Sequence, residues 1–303
     1  MKITLGQPYS FWQLGKRGNQ EDCRFPGADV PQECDPFFVV CDGVGGSEKG
    51  EVASSTVCRT VAKVLDGHNW NQPFTAQDFA KVLEQVYAAM TKASTPSNVG
   101  MATTLTFVAF NSDGCLAAHM GDSRIYQVRP GVGILYRSDD HSLVNVLVHS
   151  GNLSPDEAEN HPKSNVITRC ISVPRKGEDP MPATVLQITD IAKGDYFFLC
   201  SDGVLKCVDD DTLVEILSDE APDTEKIDCI ANLSRDSDDN NTAYLIPVVD
   251  VEKEIGISDT EPPVADNVTA RILKKAPQAE EVSAQVEQGG ILHSIKGFLG
   301  KIF

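Results

Sequence analysis

Two stretches of this chain repeat one pattern: Phe37-Phe38-Val39-Val40-Cys41-Asp42-Gly43 and Tyr196-Phe197-Phe198-Leu199-Cys200-Ser201-Asp202-Gly203. Each reads as a buried strand that runs directly into an aspartate and a glycine. The strand holds the carboxylate rigidly, and the glycine lets the backbone turn closely around whatever that carboxylate holds. A third acidic segment, Asp236-Ser237-Asp238-Asp239-Asn240-Asn241-Thr242, immediately precedes the strand-like Ala243–Val249, and a fourth, Asn19-Gln20-Glu21-Asp22, lies near the N-terminus. A single Asp-Gly after a strand marks only a turn. Four acidic points at strand ends within one domain point to cation binding. Carboxylates without neighbouring His or Cys ligands suit hard, oxygen-loving ions such as Mg²⁺ or Mn²⁺ and not zinc. Two such ions roughly 3.5–4 Å apart can activate a bridging water and neutralise phosphoryl oxygens.

Around these points the chain alternates strand-like and helix-like segments. Further strands are expected at Thr103–Phe110, Cys115–Met120, Arg124–Arg129 and Thr184–Ile188, and the turn signal Asn111-Ser112-Asp113-Gly114 makes the first two an antiparallel hairpin. Helices are expected over Glu51–Leu65 and Thr75–Ala93. The second has Thr75 and Asp78 as a capping pair and Phe79, Val82, Leu83, Val86 and Met90 on one face. A short helix is expected from Ser154-Pro155, with Ser as cap and Pro in the first turn. The composition changes after about residue 250. Residues 251–290 read as a flexible linker. In 291–303, Ile291, Leu292, Ile295, Phe298, Leu299, Ile302 and Phe303 recur at helical spacing, so a short amphipathic helix is expected there.

No apolar run approaches the roughly 18–20 residues of a membrane-spanning helix, and the first residues carry no secretory pattern. Nine cysteines without CxxC pairs, several of them inside apolar runs, read as reduced core thiols of a cytoplasmic protein. The formal charge of −18 argues against a nucleic-acid partner.

Seven short motifs follow one another in order: Arg17-Gly18-Asn19-Gln20-Glu21-Asp22, Asp42-Gly43-Val44-Gly45-Gly46, Met101-Ala102-Thr103-Thr104, Gly121-Asp122-Ser123-Arg124, Asp140-His141-Ser142, Ser201-Asp202-Gly203 and Asp239-Asn240-Asn241-Thr242. In this order and spacing the chain resembles the metal-dependent protein phosphatase (PPM, type 2C) family of bacterial type, over nearly all of residues 10–250. The resemblance implies an α+β fold, a four-layer α-β-β-α sandwich of two mostly antiparallel sheets flanked by helices. It implies a serine/threonine phosphoprotein phosphatase that attacks phosphorus with a metal-bridged hydroxide and forms no phosphoenzyme. Asp42 would bridge two Mn²⁺ or Mg²⁺ ions, with the Gly43 carbonyl on one of them, and Asp202 and Asp239 would complete the other. Glu21 and Asp22 would act mostly through metal-bound waters, Asp122 with Asp202 would match a third, weaker site, and Arg17 would grip the substrate phosphate. His141 would be a hydrogen-bonded scaffold residue, and His161-Pro162 with Asn165–Arg169 would form a flap near the site.

The chain departs from that pattern at three positions. Val44 stands where some members carry a histidine proposed as general acid, and Ala102 and Ser172 stand where glycine is usual. No metal-ligand position is lost. The acidic site residues contribute six formal negatives (Glu21, Asp22, Asp42, Asp122, Asp202 and Asp239), which two or three divalent ions would largely offset. The remaining acidic surface would favour phosphosites among basic residues. Partners are then phosphoserine and phosphothreonine proteins with an opposing kinase, and the C-terminal helix would dock on a partner or on its own domain in preference to a membrane. Two other roles keep the fold, an inactive phosphoprotein-binding scaffold and a partner-switching phosphatase. A haloacid-dehalogenase mechanism needs a second aspartate, which Asp42-Gly43-Val44 lacks.

Overall fold

The computed structural model describes residues 1–27, 34–44, 49–98, 100–159, 161–175 and 177–252. Gly45 and Gly46 of the second motif, most of the expected linker and the expected C-terminal helix lie outside these residues. The strands are β1 Lys2–Leu5, β2 Tyr9–Gln13, β3 Cys23–Phe25, β4 Phe37–Cys41, β5 Ala102–Thr103, β6 Leu105–Asn111, β7 Gly114–Met120, β8 Arg124–Arg129, β9 Gly133–Arg137, β10 Ile171–Ser172, β11 Thr184–Ile188, β12 Tyr196–Cys200 and β13 Asn241–Glu252. The helices are α1 Gly50–Leu65, α2 Ala76–Ala93, α3 Leu143–His149, α4 Pro155–Glu159, α5 Asp202–Leu205, α6 Asp210–Ser218 and α7 Asp223–Ser234.

Two antiparallel sheets face each other. One has the order β1-β13-β12-β8-β9 with β2 also paired to β13, and the other runs β11-β7-β6-β4-β3. Alternation along β4 shows why its sequence is apolar throughout. Phe38 and Val40 pack with Phe110, Phe197, Leu199, Tyr244 and Ile246 between the sheets. Phe37, Val39 and Cys41 pack on the opposite face against Val57, Val61, Phe79 and Val86 of α1 and α2. Helices α6 and α7 lie against β8, β2 and β13 on the outer face of the first sheet. This is the four-layer sandwich that the family resemblance implies.

Local sequence explains much of the framework. Helix α2 begins with a complete capping box, in which Thr75 Oγ1 accepts from the Asp78 N–H (3.3 Å) and Asp78 Oδ2 accepts from the Thr75 N–H (3.1 Å). Helix α4 starts as expected after Ser154, whose hydroxyl accepts from the Glu157 N–H at 3.3 Å. Two expected elements differ by more than one residue. The single strand Thr103–Phe110 is split, because the Thr104 N–H turns aside to donate to the Asp42 carbonyl at 2.8 Å. Val251 and Glu252, assigned to the linker by composition, continue β13 through pairing with Ile3 and Lys2.

Candidate active site

One end of the sandwich gathers the acidic points. Asp42 follows β4, Asp122 precedes β8, Asp22 precedes β3, Asp202 opens α5 after β12, and Asp239 lies two residues before β13. The strand registers bring these ends together: Cys41 pairs with Cys23, and Cys200 pairs with both Arg124 and Ala243. Burial raises the Asp42 carboxyl well above its ordinary range, and Asp22, Asp202, Asp122 and Asp239 push it further the same way. Asp22 rises to about 7 from burial, against which the Thr242 and Ser201 hydroxyls work. Asp122 also rises to about 7, from burial and then from Asp202.

The motifs hold one another. Asp42 is clamped by the Met101–Thr104 segment: its N–H donates to Thr104 Oγ1 (2.9 Å), and its carbonyl accepts from Thr103 Oγ1 (2.8 Å). The Thr104 hydroxyl also meets Ser123 Oγ at 2.7 Å, which ties this clamp to the turn carrying Asp122. That turn is in turn locked to Asp140-His141. Arg124 makes a two-pronged ion pair with Asp140 at 2.8 Å on each prong, the His141 N–H donates to the Gly121 carbonyl (2.8 Å), and the Gly121 N–H donates to His141 Nδ1 (3.2 Å). Asn240 draws in the N-terminal motif, donating to the carbonyls of Leu14 (2.9 Å) and Asn19 (3.0 Å) while its Oδ1 accepts from the Glu21 N–H (2.8 Å). Asp22 Oδ2 accepts from Ser201 Oγ (2.8 Å) and Thr242 Oγ1 (2.7 Å).

Two glycines permit the close approach. A Cβ at Gly43 would stand 2.5 Å from the Gly50 carbonyl carbon and 2.8 Å from the Glu21 carbonyl oxygen. At Gly203 it would stand 2.0 Å from the Asn240 carbonyl oxygen. The two non-glycine departures are neighbours in space. Ala102 and Ser172 pair across the β5–β10 ribbon. Among the described non-glycine residues only Lys49 has a positive φ, so neither departure strains the backbone.

Arg17 is exposed and donates from Nη2 to Asp239 Oδ2 (2.9 Å) and from Nε to the Asp238 carbonyl (3.2 Å). Glu21 is half-buried, its carboxyl raised by burial and then by Glu51. Lys206, which the sequence reading did not single out, sends Nζ to Asp202 Oδ2 and Asp239 Oδ2, each at 2.8 Å. Its only local signal is the four-residue spacing from Asp202. Asp239 stays below the usual carboxylate range: burial works to raise it, and Lys206 and Arg17 outweigh burial. In the segment expected to form a flap, Val166 is exposed and Arg169 Nη1 reaches Thr184 Oγ1 at 3.4 Å.

The donor set fits hard divalent cations. Asp22 Oδ1 and Asp202 Oδ1 are buried oxygens with no hydrogen-bond partner, a costly arrangement for a carboxylate unless a cation satisfies it. Among the described residues no three His, Cys, Asp or Glu side chains already converge on one point. Lys206 and Arg17 draw Asp239 aside, and two hydroxyls hold Asp22 Oδ2.

The family model for protein phosphatase 2C matches residues 17–233. The chain belongs to the protein phosphatase 2C family. This phosphatase-family chain is 31% identical over 238 residues to the serine/threonine protein phosphatase PstP of Mycobacterium tuberculosis, covering 78% of this chain and 43% of that protein. It therefore spans less than half the length of that relative. It is 30% identical over 244 residues to protein phosphatase PhpP of Streptococcus pneumoniae, covering 79% of this chain and 96% of that one. Among solved structures, the M. tuberculosis PstP/Ppp phosphatase superposes with a TM-score of 0.68 at 26% identity, over 81% of this chain and 99% of that one. The PstP catalytic domain in complex with two manganese ions superposes with a TM-score of 0.66 at 27% identity, over 81% and 99%.

Proposed function

We propose that this chain is a metal-dependent phosphatase of phosphoserine and phosphothreonine proteins, working with Mn²⁺ or Mg²⁺. The observation that carries the reading is the meeting of Asp22, Asp42, Asp122, Asp202 and Asp239 at one end of the sandwich, with two buried carboxylate oxygens left without a partner. Asp42, the Gly43 carbonyl, Asp202 and Asp239 would be the direct ligands of two cations, with Glu21 and Asp22 acting through water and Asp122 serving a third, weaker position. Bound there, the cations supply Lewis-acid polarisation of the phosphoryl group and acidify the attacking water. Arg17 turns its planar guanidinium from Asp239 to two phosphoryl oxygens and so orients the ester. The Thr104 clamp keeps Asp42 in place, and Ser201 and Thr242 hold Asp22 through Oδ2 while its second oxygen, Oδ1, is left without a partner. Nine free cysteines accord with a reducing, cytoplasmic setting. We take residues 1–252, through the end of β13, as the catalytic domain.

The test is hydrolysis of p-nitrophenyl phosphate and of a phosphothreonine peptide with Mn²⁺, with EDTA, and by Asp42→Asn and Asp202→Asn. Turnover that needs Mn²⁺ and falls at least about 100-fold in each variant is expected. A folded protein inert under every metal would overturn the reading in favour of a phosphoprotein-binding scaffold.

A further inference from the structure

Lys206 is a cation already seated among the carboxylates. It follows α5 directly, its N–H donates to the Asp202 carbonyl at 3.1 Å, and its side chain folds back so that Nζ lies 2.8 Å from Asp202 Oδ2 and 2.8 Å from Asp239 Oδ2. The contact is partly exposed: the Lys206 side chain is 37% exposed, against 23% for Asp202 and 18% for Asp239. Asp239 Oδ2 is shared with Arg17, whereas Asp202 Oδ1 stays buried without a partner. One ammonium therefore takes one oxygen from each of two carboxylates, the arrangement that a bound cation would claim, and leaves the coordination incomplete. An ammonium offers only single-charge attraction and three hydrogen bonds, so it can hold the pair together without saturating it.

We propose that Lys206 is a tethered competitor of the divalent cation at the Asp202–Asp239 pair, a positioning residue that keeps these carboxylates assembled when the cation is absent and weakens cation binding when it is present. This rests on the metal reading above. A divalent ion that binds Asp202 and Asp239 must first displace Nζ from both. The affinity measured is then the intrinsic affinity reduced by the fraction of molecules in which the ammonium is seated. The site consequently loads only when free Mn²⁺ is high enough to win that competition. The same ammonium offsets part of the repulsion among Asp122, Asp202 and Asp239 in the unloaded protein, since burial and Asp202 raise the Asp122 carboxyl while Lys206 opposes them.

The experiment is calorimetric titration of Mn²⁺ into EDTA-stripped full-length protein, for wild type, Lys206→Met, Lys206→Gln and Lys206→Arg, with thermal melts of each with and without Mn²⁺. Met and Gln variants should bind Mn²⁺ about tenfold more tightly, the order expected on losing a partly exposed double ion pair, while Arg stays within about threefold of wild type. Without metal the Met and Gln variants should melt lower than wild type, and saturating Mn²⁺ should erase that difference. A lysine with only a packing role would lower both melts alike and leave the affinity unchanged; that result in either neutral variant overturns the proposal. If folded wild type and variants all fail to bind Mn²⁺, the metal reading itself falls, which an unchanged but measurable affinity would not imply.

Discussion

Thr104 illustrates how a single side chain serves several motifs. It is buried, its hydroxyl accepts from the Asp42 N–H, and the same oxygen meets Ser123 Oγ. Thr104→Val keeps the shape but strands both partners in a dry environment, so a loss of about 1–3 kcal/mol is expected in urea unfolding. Turnover should fall as well, because the clamp on Asp42 loosens. Asp42 and Asp202 announce themselves in sequence through the strands that carry them. Thr104, Ser123 and Asn240 belong to short polar motifs, and only their partners reveal why those residue types stand there. Lys206 had no signal beyond its spacing from Asp202, because its second partner, Asp239, is 33 residues away.

At the scale of elements, the site depends on α5 and the start of β13 touching backbone to backbone. The Cβ that Gly203→Ala introduces would lie 2.0 Å from the Asn240 carbonyl oxygen, which is not the end of a flexible side chain and cannot move cheaply. The variant should lose at least about 2 kcal/mol of stability and most of its activity, read by thermal melts and turnover with Mn²⁺. Helices α1 and α2 and the fully apolar β4 and β12 were legible because their patterns are long or continuous. Helix α6 was not singled out, although Asp209 caps it by accepting from the Thr212 N–H at 2.8 Å and Leu213, Ile216 and Leu217 face inward. Strands β1, β2 and β3 are only three to five residues long, too short to stand out in the sequence, and their pairing with β13 and β4 makes them strands.

For the whole molecule, pH and charge give two further expectations. His119 and His141 stack with their ring centroids 4.5 Å apart. Burial, then His119, then Arg169 lower His141 to about 4 from 6.5. The unfolded chain binds more protons between those values, so this contribution is complete above about 6.5 and is lost as pH falls toward 4. Urea unfolding of wild type and His141→Gln across pH 4.5–7.5 should show the wild type losing on the order of 1–2 kcal/mol more on acidification than the variant, because solvent screens part of the shift at this partly exposed ring. The net charge of −18 far exceeds what the cluster of site carboxylates contributes, so the surface beyond it stays acidic. Phosphopeptides with basic flanks should be turned over faster than acidic ones at low salt, and about 0.5 M NaCl should remove the difference. Equal rates at low salt would end that idea. Among the described residues no helix is long and apolar enough to cross a membrane.

The sequence by itself determined the kind of chemistry: carboxylates at the ends of buried strands, with no soft ligands beside them, call for hard cations whatever the topology. It also determined the family, through ordered motifs whose residues are each short-range in character. Only the tertiary structure decided that Asp22, Asp42, Asp122, Asp202 and Asp239 share one end of the sandwich, that Thr104 joins two of their turns, and that Ala102 and Ser172 face each other. The physical reason is range. Propensity, capping and alternation act over a few residues, whereas β-sheet register joins positions as far as 250 residues apart, as it does Lys2 with Glu252, and also Cys200 with Arg124 and Asn241 with Gln13. An ammonium seated between Asp202 and Asp239 exists only after that register is set.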